Sequence, residues 1–595
     1  MTVNEILGLV MLFGMVAVIF FGFPISFTLL FLALVFGGFG LGWEQTFNLA
    51  YLQIWGTMKD EIFPAVPLFI FMGYMTEQAG LMERLFGALR SLLAPVRGSL
   101  YIAVILTATI FAMATGIVGA AVTVLGIMAG PMMIKSNYDA RLSAGAIAAG
   151  GTLGVLIPPS VMLVVMGPTM GVPVNLLYAA AFGPGFLLAG LYILYTLTRS
   201  FLKPELGPPM TGVEVKEAYL AMTTEKVRPG VLVVGSLALI VIVYVAVILF
   251  ASNVGFKGPS FQLTFGRRKP DVDIIALVLA LASLIPFFTK PYFRAVVIGI
   301  APLATLIGAT LGTIITGAAT PTEAASCGAA GSALLALVYG KLTLEDKWRL
   351  PTYAVMAVGA VVGFMFGNLL IPGPTGMAFA ILCLVVAPGF LASAQMRNAA
   401  YGTMVTSGMV LFLAVASNVF GAIFTKLGTA SMITNTLAAL PIGDWWKLGL
   451  IMALVFVLGW PFEWPAIVLV FLPIFLPVVE KLKLTPFGAD KPLTKLELLT
   501  WFGALIAVNL QTAFLSPPVA MSAYYLKNVV PQWSLAVIYR GMADYMVIQV
   551  IVLAALLAFP AIALSSVVFL WVAGLMVVMF TIMVGYTLFF SKKEA

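Results

Sequence analysis

The chain alternates between apolar runs and short polar connectors from end to end. The runs fall at roughly 6–21, 24–40, 63–78, 100–113, 117–134, 143–157, 160–170, 176–198, 231–251, 273–288, 295–317, 323–340, 352–371, 376–394, 402–425, 429–440, 447–459, 464–479, 500–515, 517–530 and 545–588. Many reach the ~20 residues that a helix needs to cross a ~30 Å hydrocarbon core. Others are too short to cross alone. The pattern predicts that 100–134 and 447–479 are helical hairpins that enter and return. It predicts that 143–170 and 500–530 are single spans broken in the middle. Counting each hairpin or broken span once gives about 15 membrane elements.

The two predicted breaks carry the most information. The first reads Gly150-Gly151-Thr152-Leu153-Gly154-Val155-Leu156-Ile157-Pro158-Pro159-Ser160, the second Asn509-Leu510-Gln511-Thr512-Ala513-Phe514-Leu515-Ser516-Pro517-Pro518. Proline removes a backbone donor and clashes with the preceding turn, so neither helix can run on unbroken. An opened backbone at membrane depth survives only inside protein or beside a polar cavity. A predicted hairpin precedes each break, turning near Phe111-Ala112-Met113-Ala114-Thr115-Gly116 and near Gly459-Trp460-Pro461-Phe462-Glu463-Trp464-Pro465. Hairpin followed by broken helix therefore occurs twice. Paired interruptions in two halves of a membrane chain point to a binding site near the bilayer midplane.

Composition agrees with a polytopic membrane protein. Of 595 residues 62% are hydrophobic and 9% charged, against about 25% charged in soluble domains, and the mean hydropathy is +1.11. The net charge of +8 is spread over short connectors such as Arg84, Arg90 and Arg97, or Arg199, Lys203, Lys216, Lys226 and Arg228. Such clusters favour the cytoplasmic side. They form no contiguous basic face, which argues against a nucleic-acid partner. There is no histidine, so the commonest metal ligand and proton shuttle is missing. Cys327 and Cys383 read as small packing residues, with no partner spacing. An enzyme acting on membrane lipids would need Asp, His or Arg clustered on facing spans, and none is visible. The first residues carry no Lys or Arg ahead of the apolar run, so the expectation is a retained first helix. Residues 200–230 and 252–272 read as solvent loops.

Each candidate residue has a chemical and a structural reading. Gly150, Gly151 and Gly154 expose backbone, and Thr152 and Ser160 add hydroxyls. Freed carbonyls suit a hard cation such as Na⁺, and freed helix N-termini suit a carboxylate; alternatively the glycines let helices approach closely. The Pro-Pro pair that follows favours the chemical reading. Asn509, Gln511, Thr512 and Ser516 are polar groups in an apolar run, either ligands or interhelical hydrogen-bonding groups. Thr115 belongs to the same class. For Glu463 two readings stand equal, a carboxylate that meets a cation and a cap for the returning helix. Glu323, in Thr320-Pro321-Thr322-Glu323, reads as a helix-capping residue. Asn418 is open to either role.

At these motifs the chain resembles the large membrane subunit of tripartite ATP-independent periplasmic (TRAP) transporters. The match runs in order from Gly22-Phe23-Pro24-Ile25 and Val66-Pro67-Leu68-Phe69-Ile70-Phe71-Met72-Gly73 through the Pro158-Pro159 region and Thr320-Pro321-Thr322-Glu323-Ala324-Ala325. It ends with the second hairpin, holding Pro473 and Pro477, and Asn509 to Pro518. The resemblance implies an all-α polytopic membrane protein of inverted-repeat, elevator type, with two re-entrant hairpins and two broken helices. It implies sodium-coupled uptake of a small organic acid across a bacterial inner membrane, no other cofactor, and no enzymatic activity. The implied partners are a small four-helix membrane subunit and a periplasmic substrate-binding protein.

The implied substrate and ion residues are Thr115 and Gly116; Gly150, Gly151, Thr152, Gly154, Pro158, Pro159 and Ser160; Gly459 and Glu463; and Asn509, Gln511, Thr512, Ser516, Pro517 and Pro518. Sodium candidates among them are Thr115, Gly151, Thr152, Asn509 and Thr512. The implied division is scaffold over 1–100, first transport half over 101–170, scaffold over 171–440, second transport half over 441–530, and C-terminal helices over 531–595. Two features depart from the family pattern at the turns: Ile117 and Val118 stand where hydroxyls are usual, and Glu463 where Asp is usual. Segments near 205–295 and 350–395 look inserted, each adding what reads as two spans. A stand-alone ion-coupled carboxylate carrier, its added spans replacing the small subunit, is the alternative.

Overall fold

The computed structural model describes residues 2–94, 96–116, 118–209, 229–254, 260–262, 271–273, 278, 281–289, 291–315, 317–339, 393–460, 462–486, 491–517 and 520–565. Among these the chain is helical, apart from a short antiparallel strand pair, Ser260–Gln262 with Asp271–Asp273, inside the polar connector. Seven of the described helices are long and apolar enough to cross a membrane, and Ala140–Leu156 with Val161–Met170 adds a pair bent by 40°. The predicted insertion at 350–395 lies outside the described residues up to 392, as do 210–228 and the last thirty or so positions of the predicted C-terminal run.

Helix starts follow local chemistry. Thr2 and Glu5, Thr320 and Glu323, and Thr494 and Glu497 each form a reciprocal capping pair, the hydroxyl accepting from the Glu amide and the carboxylate accepting from the Thr amide. This satisfies two orphan donors per helix. Glu323 thus has the capping role expected of it. Asn418 donates from Nδ2 to Thr57 Oγ1 at 2.8 Å, tying Ala394–Lys426 to Trp43–Met58.

Two helices went unmarked by hydrophobicity, Trp43–Met58 and Leu81–Leu93. The second is amphipathic: Glu83, Arg84 and Arg90 share it with the buried Leu81, Leu85, Phe86 and Leu89. A one-sided apolar stripe has too low a mean hydropathy to read as a span. This helix lies between Pro291–Ile315 and the first hairpin.

The peripheral layer comprises Ile25–Leu41, Trp43–Met58 and Ala65–Gln78 around the 33-residue helix Ala394–Lys426, with Pro321–Tyr339 and Pro291–Ile315 alongside. Its outer faces, with that of the adjoining helix Val3–Phe20, carry exposed Phe13, Phe20, Phe27, Phe31, Phe47 and Trp55, as suits contact with hydrocarbon rather than water. The protein is a multi-pass membrane protein.

The helices of the predicted hairpins and broken spans pack on one another. The first hairpin is Ser99–Thr115 with Val118–Lys135, and the second is Asp444–Leu458 with Trp464–Val479. The broken helices are Ala140–Leu156 with Val161–Met170, and Lys495–Leu515 with Met521–Val529. Their contacts are exchanged between halves. The returning arm of the first hairpin packs on Met521–Val529, and that of the second packs on Val161–Met170.

Candidate functional site

The first break falls at Ile157–Ser160, one turn later than the glycines that announced it. Ala140–Leu156 starts on Asp139, whose side chain accepts from the Leu142 amide at 2.8 Å, and stays helical through Gly150, Gly151 and Gly154. The glycine pair makes room: a Cβ on Gly150 would stand 3.0 Å from the Ala108 Cβ, and one on Gly151 would strike Val122. Both arms of the first hairpin press against the broken helix there. Thr152 donates to the Ala149 carbonyl at 2.8 Å, which leaves its oxygen lone pairs free to accept or ligate.

The chain then turns through Pro158 and Pro159. Ser160 donates from Oγ to the Val155 carbonyl at 2.5 Å, satisfying an acceptor that the break released. Tyr178 donates to the Ser160 carbonyl at 3.4 Å. Because the Ser160 hydroxyl points back, it does not cap Val161–Met170. The first amides of that ten-residue helix therefore remain open, with the positive end of the helix dipole behind them. Gly116, at the first hairpin turn with φ +60°, sits directly over them. A Cβ on Gly116 would lie 3.6 Å from the Val161 nitrogen, so glycine serves both the left-handed turn and the close approach. The Thr115 side chain and Ile117 lie outside the described residues.

The second break has different fastenings. Asn509, 1% exposed, donates from Nδ2 to the Met452 carbonyl of the second hairpin at 2.7 Å. Its Oδ1 is buried without a hydrogen bond. Thr512 donates to the Asn509 carbonyl at 2.6 Å, and Ser516 to the Thr512 carbonyl at 2.6 Å. Beyond the break Ser522 reaches back to the Phe514 carbonyl at 2.5 Å, the counterpart of Ser160 in the first half. Gln511 is fully buried, and neither end of its carboxamide is bonded. Pro517 is exposed, whereas Pro158 and Pro159 are buried; Pro518 lies outside the described residues.

At the second hairpin turn a Cβ on Gly459 would stand 2.7 Å from the Ala513 Cβ, so this glycine too permits a close approach. Glu463 occupies the N-cap position, but its side chain makes no capping bond; only its carbonyl accepts, from Ala466 and Ile467. That removes the capping reading of the carboxylate. The returning arm contains a π-helical turn, Ile467–Phe471, just before Pro473, where a missing donor loosens the helical register. This turn packs on Val161–Met170 of the first half. Reciprocally, a Cβ on Gly119 would touch the Tyr525 ring at 2.9 Å, joining the first hairpin to the second broken helix.

Four participants were not singled out from sequence. Ser522 had a signal, a hydroxyl placed shortly after a Pro-Pro pair as Ser160 is. Tyr178 had a weaker one, a phenol inside an apolar run. The Met452 carbonyl and Val161 amide had none, since every residue carries those groups.

This assembly can be set beside known proteins. The description "Tripartite ATP-independent periplasmic transporter, DctM component" matches residues 11–562. The chain belongs to this family. It is 24% identical to the C4-dicarboxylate TRAP transporter large permease protein DctM of Rhodobacter capsulatus over 520 residues, 87% of this chain and 89% of that one. It is 30% identical to the sialic acid TRAP transporter large permease protein SiaM of Vibrio cholerae over 228 residues, 37% of this chain and 52% of that one. With the 2,3-diketo-L-gulonate TRAP transporter large permease protein YiaN of Escherichia coli it shares 28% identity over 184 residues, 28% of this chain and 43% of that one. The matched stretches thus span about half, or less, of the length of the latter two relatives. The large permeases of this family are transport proteins, not enzymes.

Proposed function

We propose that this permease carries a small organic acid inward, coupled to sodium, receiving it from a periplasmic binding protein. A small four-helix membrane subunit completes the complex in a bacterial inner membrane. The observation that supports this most is a pair of broken helices fastened inside one buried body, each leaving a different kind of open group. At the first break the Val161–Met170 amides are open beneath the Gly116 turn, an arrangement suited to a carboxylate. At the second break Asn509 Oδ1 is a buried acceptor with no partner, and the Thr512 hydroxyl retains lone pairs beside it. Oxygen acceptors of this type suit Na⁺, a hard cation.

In this reading Asn509 is held by Met452 so that Oδ1, not Nδ2, faces the ion. Thr512 and Thr152 contribute hydroxyl oxygens after donating to their own helices. Ser160 and Ser522 keep each opened turn in shape. Thr115 and the backbone of Gly151 remain proposed contributors, as does Glu463. The exchanged contacts between halves favour movement of hairpins and broken helices as one body against the peripheral helices. Close inter-half packing makes sliding past the periphery cheaper than opening the centre. Family membership favours this three-part reading over a self-sufficient carrier.

The deciding experiment is uptake into proteoliposomes holding the purified permease with its small subunit. Candidate carboxylates are offered with and without the binding protein, under an inward sodium gradient or an equal potassium gradient. Uptake that requires both sodium and the binding protein is the expected result. Sodium-driven uptake by the permease alone establishes the stand-alone carrier instead.

A further inference from the structure

The helices Val174–Leu202 and Leu535–Ala558 run antiparallel, and one carboxylate joins them near one end. A Cβ on Gly183 would strike the Ile562 carbonyl, and the Tyr192 ring meets that of Tyr545 edge-on at 5.1 Å. Tyr195 then donates from its hydroxyl to Asp544 Oδ2 at 2.9 Å. Arg141, at the start of the first broken helix, takes the other oxygen, Nη2 donating to Oδ1 at 2.5 Å. Asp544 is thereby engaged on both oxygens. One turn further toward the same end, Arg199 follows Tyr195 and Arg540 precedes Asp544, each four residues along its own helix. Residues four apart share a helix face, so both arginines belong to the groove that the Tyr195–Asp544 bond closes. Both are exposed, and among the described residues neither has a carboxylate partner. Of the other acidic groups at this end, Asp139 caps its helix through the Leu142 amide, and Glu205 follows Lys203 in the turn Pro204–Leu206.

We propose that Arg199 and Arg540 bind the phosphate of an anionic phospholipid in the cytoplasmic leaflet. Two observations select a lipid. Arg199 lies in the last turn of its helix and Arg540 in the second turn of a 24-residue helix, where long basic side chains reach the headgroup layer. The face that carries Arg540 then continues apolar and open. Val547 and Ile551, seven and eleven residues on, are 57% and 55% exposed. Those spacings are close to whole turns of a helix, so the arginine heads a stripe suited to acyl chains. Guanidinium forks pair with phosphate oxygens, and the negative inner leaflet adds attraction. The positive-inside preference accounts for basic residues on this side. It does not account for two arginines over one groove with an apolar stripe below one of them. A headgroup held there would fasten the two helices one turn beyond the Asp544 link.

The test measures binding and not transport, so it stands apart from the sodium-coupled reading. The purified full chain in neutral detergent is titrated with phosphatidylglycerol, phosphatidylcholine or inorganic phosphate while thermal unfolding is followed. Phosphatidylglycerol is expected to raise the midpoint by several degrees and the other two by about a degree or less, since a ligand of the folded form stabilises it. The double variant Arg199→Gln with Arg540→Gln should lose that shift. Lysine at both positions, which keeps the charge without the fork, should retain part of it. Lys481→Gln, an exposed lysine at the base of the second hairpin, should keep all of it. An equal shift with phosphatidylcholine overturns headgroup recognition, and an equal shift with phosphate replaces the lipid by a soluble anion. A full shift in the double glutamine variant overturns the role of the two arginines. Native mass spectrometry of the unaltered chain from a bacterial membrane needs no variant to fold. A retained anionic phospholipid is expected, and retention of zwitterionic lipid alone overturns the proposal.

Discussion

The two breaks begin from the same sequence device and end in different surroundings. At the first, Ile157, Pro158, Pro159 and Ser160 are all buried, and the released Val155 carbonyl is closed by Ser160 directly across the turn. Gly150 and Gly151 hold both hairpin arms against the same helix. At the second, Pro517 is exposed, the reach-back bond from Ser522 is partly buried, and two amide side chains keep unbonded atoms. The first break is a locked turn that presents helix-end amides; the second is a looser one that presents side-chain oxygen. Prolines open a backbone, but the neighbours decide whether what they free stays available.

Breaking the locked turn should have the largest effect. Pro158→Ala with Pro159→Ala restores the missing donors and lets the helix run on, which withdraws the Val161 end from Gly116. Substrate uptake is expected to be abolished while the amount inserted in the membrane is largely kept. Full uptake by this variant would sink the assignment of a functional break.

On the other side of the comparison, Asn509→Ala removes both the Met452 fastening and the free Oδ1. We expect the sodium concentration for half-maximal uptake to rise about tenfold or more, the equivalent of ~1.4 kcal/mol or more of lost ion binding. An unaltered sodium dependence would move the ion away from this residue.

A paired substitution sharpens the contrast in stability. Ser160→Ala strands a buried carbonyl and should cost about 1–3 kcal/mol, whereas Ser522→Ala, which frees the carbonyl of the half-buried Phe514, should cost about 1 kcal/mol or less. Thermal midpoints of the two variants, measured side by side, decide this; equal losses would erase the distinction between locked and loose turns. The smallest effect is expected from Glu463→Gln, which keeps shape and removes charge alone. A modest weakening of sodium dependence places the carboxylate near the ion path, and none at all retires it as an ion-site residue.

Much of the fold was legible because its causes are local. Runs of apolar residues, the Thr-x-x-Glu capping pairs at Thr320 and Thr494, and the Pro-Pro interruptions each act within a few residues. The order of hairpin and broken helix followed from them. Less legible was the amphipathic helix Leu81–Leu93, whose charged face lowered its mean hydropathy below that of a span. The glycine pair was read first for its backbone, although its missing side chains also make room for Ala108 and Val122. Sequence can reveal that a position is glycine without revealing what leans against it. Glu463 had two readings, and the absent side-chain capping bond counts against one of them.

By itself the sequence determined that this is a helical membrane protein, where its chain is interrupted, and which polar side chains lie near the interruptions. Those properties come from transfer energies and backbone sterics, which depend on residues close together in the chain. Only the tertiary structure decided that the returning arm of each hairpin also packs on the other half's broken helix. It also decided that Asn509 points its amide nitrogen at Met452 and so frees its oxygen. Such pairings join residues tens or hundreds of positions apart, and they are fixed by packing complementarity that no local pattern records.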